Sequence, residues 1–155
     1  MMHMTMTKKI YMGADHAGFD RKALLKERLE REGYEVRDFG ARERDDQDDY
    51  PDYALPLAEA VAKDGVRGIL LCGNAQGVCM VANKVDGVRA AMGYSVYAAK
   101  SSREDDDSNV LCVPGRALSD EEAVDIVHAW LAADFSGAAR HERRLKKVKT
   151  IEESH

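Results

Sequence analysis

The sequence predicts a three-layer α/β fold, a five-stranded parallel sheet with helices on both faces and a further helix at the C-terminus. Three observations carry this. Short apolar runs alternate with longer amphipathic ones from Lys9 to Ala133, the order of repeated βα units whose strands lie parallel. The strand-like runs are apolar almost throughout, as in GILLC at 68–72, a pattern that suits strands covered on both faces. Polar, glycine-containing stretches follow those runs, at the strand ends where open α/β sheets collect ligands.

Taken in order, Lys9 to Ala14 reads as the first strand, with Asp15-His16-Ala17-Gly18 as the loop at its carboxyl end. Phe19 to Glu32 places Phe19, Ala23, Leu24, Leu25 and Leu29 on one helical stripe. Gly33 ends that helix, and Tyr34 to Phe39 forms a second strand. Gly40 to Asp49 is too charged to be anything but a loop. The next helix opens around Asp49 to Tyr53, with Pro51 in its first turn, and runs to Lys63. Arg67 to Cys72 is the third strand, Gly77 to Val85 the helix after it, and Gly87 to Met92 the fourth strand. Val96 to Glu104 is helical, Asp105 to Asn109 a turn, and Val110 to Val113 the fifth strand. Ser119-Asp120-Glu121-Glu122 starts a helix with acids in its first turn, running to about Ala133. The last helix, about Ala138 to Ile151, is basic and too polar to form a core alone. The whole is a Rossmann-like arrangement.

A chain of 155 residues holds one compact domain, expected over residues 8–151. Residues 1–7 form a disordered start and residues 152–155 a tail. With 45% hydrophobic and 33% charged residues, the composition is that of a soluble globular protein. No apolar run approaches the roughly 20 residues that cross a bilayer, and the Met-rich start lacks a signal peptide's apolar core. Cys72, Cys79 and Cys112 are then free thiols in a reducing cytoplasm. Their spacing fits no zinc motif, so no metal is expected. Arg140 to Lys149 gathers six Lys or Arg against one Glu in a chain of net charge −5. Such a cluster is a local anion site or a solvated basic helix face, and not a nucleic-acid surface, which would be basic more widely.

Chemistry concentrates in three stretches: Asp15-His16, Cys72 to Gly77, and the acidic turn with Arg116 beyond it. Their convergence on one sheet edge is expected. Cys72 closes a strand at the mouth of a loop whose N–H groups can face an anion; it is either a small core residue or a reactive thiol. No GxGxxG follows the first strand and no P-loop is present, which disfavours a nucleotide or flavin site.

Seven segments then carry a resemblance: GADHAGF (Gly13 to Phe19), DYPDYA (Asp49 to Ala54), CG, three residues, GV and ANK (Cys72 to Lys84), GVRAA (Gly87 to Ala91), SNVL (Ser108 to Leu111), PGR (Pro114 to Arg116) and RHERR (Arg140 to Arg144). In order and spacing, from about Lys8 to Ile151, the chain resembles the type B ribose 5-phosphate isomerases and the related galactose 6-phosphate isomerase subunits. The resemblance implies a cofactor-free, metal-free aldose–ketose isomerase of a phosphorylated sugar, working through a cis-enediolate. Cys72 matches the family's thiol base; a free thiol titrates near 8.5, so a useful base needs its thiolate favoured. Asp15 matches the position that handles the sugar hydroxyls. The backbone of Gly73, Asn74, Ala75, Gln76 and Gly77 matches the loop that holds the enediolate. His16, Arg116, Arg140 and Arg144 match a phosphate clamp; Arg140 and Arg144, four apart, share a helix face. The resemblance also implies a homodimer or dimer of dimers, with the last helix and the acidic-turn region acting on the neighbour's site.

The chain departs from the family at two places. The loop usually reads Cys-Gly-Thr/Ser-Gly, whereas here Asn74 and Ala75 follow Gly73. Asn74 relays a proton less readily than a hydroxyl, and Ala75 lacks glycine's access to positive φ. Where the family has His-Asn, for ring opening and for holding the enediolate, this chain has Asp105-Asp106. Asp105 can act as a base. A charged Asp106 at 4 Å from a developing anion costs about 1 kcal/mol in water and about 4 kcal/mol at an effective dielectric of 20. Two further readings follow: an isomerase of another pentose, hexose or open-chain sugar phosphate, and a non-catalytic sugar-phosphate-binding homologue.

Overall fold

The structure, a computed structural model, describes residues 8–155; the start expected to be disordered lies outside them. Its elements are β1 (Lys8–Ala14), α1 (Phe19–Arg31), β2 (Tyr34–Asp38), α2 (Pro51–Asp64), β3 (Gly68–Cys72), α3 (Gln76–Ala82), β4 (Ala90–Met92), α4 (Val96–Asp106), β5 (Val110–Pro114), α5 (Asp120–Ala132) and α6 (Ala139–Glu153). The strands form one parallel sheet in the order β2-β1-β3-β5-β4. The chain leaves β1 towards β2 on one side, while β3 lies on the other. The crevice outside the carboxyl ends of β1 and β3 is therefore the topological switch point.

Alternate residues of each central strand feed two separate cores. Ile10, Met12, Ile69, Leu71, Leu111 and Val113 pack against Leu25 and Leu29 of α1, Ala99 of α4, and Ile126 and Trp130 of α5. Tyr11, Leu70, Cys72, Val110 and Cys112 face Ala54, Leu57, Ala58 and Val61 of α2 and Val78 and Cys79 of α3. Burying each of the larger aliphatic side chains stabilises the fold by about 1.5–3 kcal/mol before chain entropy is counted. Trp130, the sole tryptophan, is fully buried. Its Nε1 donates to Ser108 Oγ at 2.8 Å, and the Arg67 guanidinium lies 5.6 Å from the ring centroid.

Several expectations need correction. Ala23 is exposed, and the buried positions of α1 include Arg21 and Lys22. Both lay their stems on apolar surface and bond with their heads. Lys22 Nζ donates to Asp38 and to the Ala41 carbonyl at 2.8 and 2.7 Å; Arg21 donates to the Pro114 and Leu118 carbonyls at 3.0 and 2.7 Å. The expected turn at 105–109 is helical in its first part, because α4 continues through Asp106 and stops at Asp107, which takes a left-handed φ of 47°. Arg103 holds that end by donating to Asp107 and to the Ser108 carbonyl. β4 has only three residues, and α6 continues to Glu153. Among the described residues, no helix is long and apolar enough to cross a membrane.

Candidate active site

Three loops meet over the switch point and enclose a cleft of about 210 Å³ lined by Asp15, His16, Ala17, Tyr50, Cys72, Gly73, Asn74, Gly77 and Arg116. They are stitched together by backbone. Gly115 N–H donates to the Cys72 carbonyl at 2.8 Å, and Arg116 N–H to the Gly73 carbonyl at 3.0 Å. The packing leaves no room for side chains. A Cβ on Gly115 would strike the Ala17 carbonyl oxygen, and one on Gly18 would strike Leu71. A Cβ on Gly77 would strike the Tyr50 ring, while one on Gly73 would press on the movable Arg116 guanidinium. Arg21 clamps the same assembly from below, through Pro114 and Leu118.

Cys72 ends β3 and is 4% exposed. Of the three free cysteines it alone lines this cleft. Cys112 is core, and burial pushes its thiol well up; Cys79 lies beside it, lowered by their hydrogen bond. Asp15 Oδ1 accepts from the N–H groups of Ala17 and Gly18 at 3.0 and 3.1 Å, an Asx turn that fixes the entry to α1. No hydrogen bond among the described residues engages its Oδ2. Asn74 makes a second such turn, its Oδ1 accepting from Gln76 N–H at 3.2 Å. Between them Ala75 takes φ 66° and is fully buried. The expected lack of easy positive φ is thus met by strain, roughly 1–2 kcal/mol for an L-residue.

Two residues of the site escaped the sequence reading. Tyr50 lines the cleft and covers Gly77, and Asp48, behind the lining, binds His16. Asp48 Oδ1 accepts from His16 Nδ1 at 2.6 Å and from His16 N–H at 3.2 Å. That hydrogen bond raises the His16 pKa against the opposing effect of burial, with help from Asp15, Asp48 and Asp46. Burial pushes the Asp48 carboxyl up, but the two bonds from His16, helped by the nearby Tyr53 hydroxyl, outweigh it and leave it below its ordinary value. Asp15, His16 and Asp48 bring metal-ligating atom types within 4.8 Å of one another. At 2.6 Å, however, His16 and Asp48 share a proton, since two ligands of one ion with bonds of about 2 Å sit roughly 3 Å apart. Nothing in the sequence singles Asp48 out from Asp45, Asp46 and Asp49 beside it.

Asp15, His16, Cys72, Gly73, Asn74, Gly77 and Arg116 are therefore brought together, with Ala75 in the same loop and Gln76 at the first position of α3. Asp105, Asp106, Arg140 and Arg144 are not. The convergence expected of all three polar stretches fails for the acidic one, because it precedes β5 and lies at the amino edge of the sheet. Asn109 there accepts from Gly68 N–H at the start of β3. Asp105 Oδ1 sits 3.4 Å from His141 Nε2 of α6. Asp106 lines a groove of about 790 Å³ between α6 and that edge, with Arg89, Leu145, Val148 and Ile151. Arg140 and Arg144 are exposed on α6 and make no ion pair among the described residues.

The Ribose/Galactose Isomerase family profile matches residues 10–148. A probable ribose-5-phosphate isomerase B of Mycoplasma pneumoniae is 42% identical over 146 residues, covering 94% of this chain and 95% of that protein. A D-erythrulose-4-phosphate isomerase of Pectobacterium atrosepticum is 41% identical over 130 residues, covering 83% and 85%. Among solved structures, ribose-5-phosphate isomerase B of Mycoplasma genitalium with bound ribulose-5-phosphate superposes with a TM-score of 0.93 at 40% identity, covering 97% of this chain and 100% of that one. With both sequence and backbone matched over nearly its whole length, this chain belongs to the ribose/galactose isomerase family.

Proposed function

We propose that the protein interconverts an aldose phosphate and its ketose, in the simplest case ribose 5-phosphate and ribulose 5-phosphate, with Cys72 as the base. The observation that carries this is the position of Cys72. It is a thiol at a strand end, at the switch point, inside a cleft that also holds a carboxylate, an imidazole and a guanidinium. The Cys72 thiolate takes the proton from C2 of the aldose, leaving a cis-enediolate; the O2 proton passes to O1, and the same thiol returns its proton to C1. Backbone N–H groups of the 73–77 loop donate to the enediolate oxygens, where one such donor is worth about 3 kcal/mol. Asn74, its Oδ1 spent on Gln76, keeps its Nδ2 hydrogens for the sugar oxygens. Asp15 Oδ2 accepts from a sugar hydroxyl, and His16 and Arg116 take the phosphate.

Asp105, Asp106, Arg140 and Arg144 act from a second copy of the chain in this reading. Their own cleft lies at the opposite edge of the sheet, and exposed Met80, Tyr94, Val96 and Tyr97 offer apolar surface for a homodimer. No nucleic acid, membrane or cofactor takes part, and the cytoplasm is the proposed compartment. The test is deuterium exchange at C2, followed by NMR with pentose, hexose and tetrose phosphates in deuterated water. Cys72→Ala should lose about 10³-fold in exchange rate; retained exchange would sink the mechanism.

One observation favours a second reading of the substrate. Asp105 offers a carboxylate, already paired with His141, where ring opening of a furanose would need a proton donor. An erythrulose 4-phosphate has its O4 blocked by the phosphate and cannot close a ring, so such a substrate needs no opening step. Faster exchange with a tetrose phosphate than with ribose 5-phosphate would select this reading. Binding without exchange for every sugar would instead mark a non-catalytic homologue.

A further inference from the structure

We propose that Asp48 is a positioning residue that holds His16 as an imidazolium with its Nε2–H presented to the cleft. The inference rests on the reading of His16 as a phosphate contact and adds the group that makes it one. The chain from Arg42 to Asp49 is an acidic, solvated loop, yet from it one carboxylate is drawn in until its side chain is 5% exposed. A single oxygen, Oδ1, takes both the ring Nδ1 at 2.6 Å and the backbone N–H of His16 at 3.2 Å. This fixes both the place and the rotation of the ring. With Nδ1–H committed to a carboxylate, Nε2 is the nitrogen left for the cleft.

The charge follows from what surrounds the pair. Among the described residues Asp48 Oδ2 is buried with no hydrogen-bond partner; the Tyr53 hydroxyl nearby favours the ionised carboxyl but carries no charge, and a buried carboxylate so placed needs a cation beside it. The imidazolium is that cation. The charged groups around His16 are the carboxylates of Asp48 and Asp15, that of Asp46 in the same loop, and the Arg116 guanidinium lining the cleft with it. Three acids against one base favour the protonated ring, in keeping with its raised pKa. A neutral ring with its proton on Nδ1 would present a lone pair to a phosphate dianion; the imidazolium presents a donor and a charge.

Asp48→Asn keeps the size and the acceptor while removing the charge, and inorganic phosphate serves as a probe that needs no turnover. In the variant the His16 ring should titrate at lower pH by NMR. The phosphate dissociation constant should rise about tenfold at pH 7.5, and the difference should shrink towards pH 6, as more of the variant's rings take up the proton. Where turnover is measured, KM should follow the same pattern with kcat within about twofold. Asp48→Glu, which keeps the charge, should return the titration towards that of the unaltered protein. An unchanged His16 titration, or a phosphate effect equal at both pH values, overturns the proposal. If His16→Ala leaves phosphate binding unchanged, the fault lies with the reading of His16 itself. Should Asp48→Asn not fold, titration of His16 in the unaltered protein decides; a midpoint at or below the ordinary 6.5 overturns the proposal.

Discussion

At the carboxyl edge of the sheet, the loops after β1, β3 and β5 touch through their backbones, with glycines where any side chain would collide. At the amino edge, Asp106, Arg140 and Arg144 stand exposed, and among the described residues the Asp105 carboxylate is held only by a 3.4 Å contact with His141. The first edge is preorganised within one chain. The second keeps its charges in water at little cost, ready for something outside the chain. A substitution at the first edge should therefore damage fold and function together, and one at the second should damage function alone.

The largest effect is expected from Gly115→Ala. Its Cβ meets the backbone oxygen of Ala17, which cannot swing aside as a side chain would. Overpacking of this kind costs about 1–3 kcal/mol, or a fall in Tm of roughly 2–12 °C for a chain of this size. A Tm within 1 °C of the unaltered protein, by calorimetry, would mean that the loops are not locked together.

Next comes Arg144→Ala at the opposite edge. Loss of a charge-assisted hydrogen bond worth about 1.5–3 kcal/mol should raise KM by roughly 10- to 100-fold while leaving Tm unchanged. An unchanged KM would remove Arg144 from the site. Mixing this variant with Cys72→Ala sharpens the comparison, because each alone spoils every site. Randomly exchanged dimers should regain about a quarter of the intact sites if the two edges meet between subunits. No recovery after verified exchange would break that view.

The smallest effect is a pH dependence of stability at the carboxyl edge. The folded pKa of His16 is raised, so its contribution is complete below about 6.5 and fades as pH rises through the folded value. That of Asp48 is lowered; its contribution is complete above about 3.9 and fades as pH falls through its folded value. The Tm deficit of His16→Ala should thus be greatest between about pH 4 and 6.5 and smaller on either side. A deficit constant from pH 4 to 9 would show that charge is not what the pair contributes.

The order of elements was legible because each buried strand is an unbroken apolar run, and the glycines around Cys72 marked the cleft. Boundaries slipped where single residues decide them. Asp107 adopts a left-handed φ and Arg103 pins the helix end, so α4 runs through acids that read as a turn. Asp106 and Arg116 are close in sequence, yet the five residues of β5 between them span about 16 Å. Closeness along the chain thus suggested one edge where there are two. Arg21 and Lys22 were illegible as anchors because their partners, Pro114 and Asp38, come from distant strands. Asp48 was illegible for a related reason, since only the folded loop shows which of several acids turns inward.

The buried Trp130 gives the molecule an optical reporter of its own. Its indole N–H is bonded to Ser108, two residues from the end of α4, and its ring is shielded from water. Its emission will be blue-shifted in the folded chain and will move to the red on denaturation. The ring lies in the core shared by α4 and α5, while the cleft opens at the far ends of the strands. Ligands entering the cleft should leave the signal nearly untouched, and events at the amino edge should perturb it. A fluorimeter alone can thus tell the filling of the site from a rearrangement at the opposite end of the sheet.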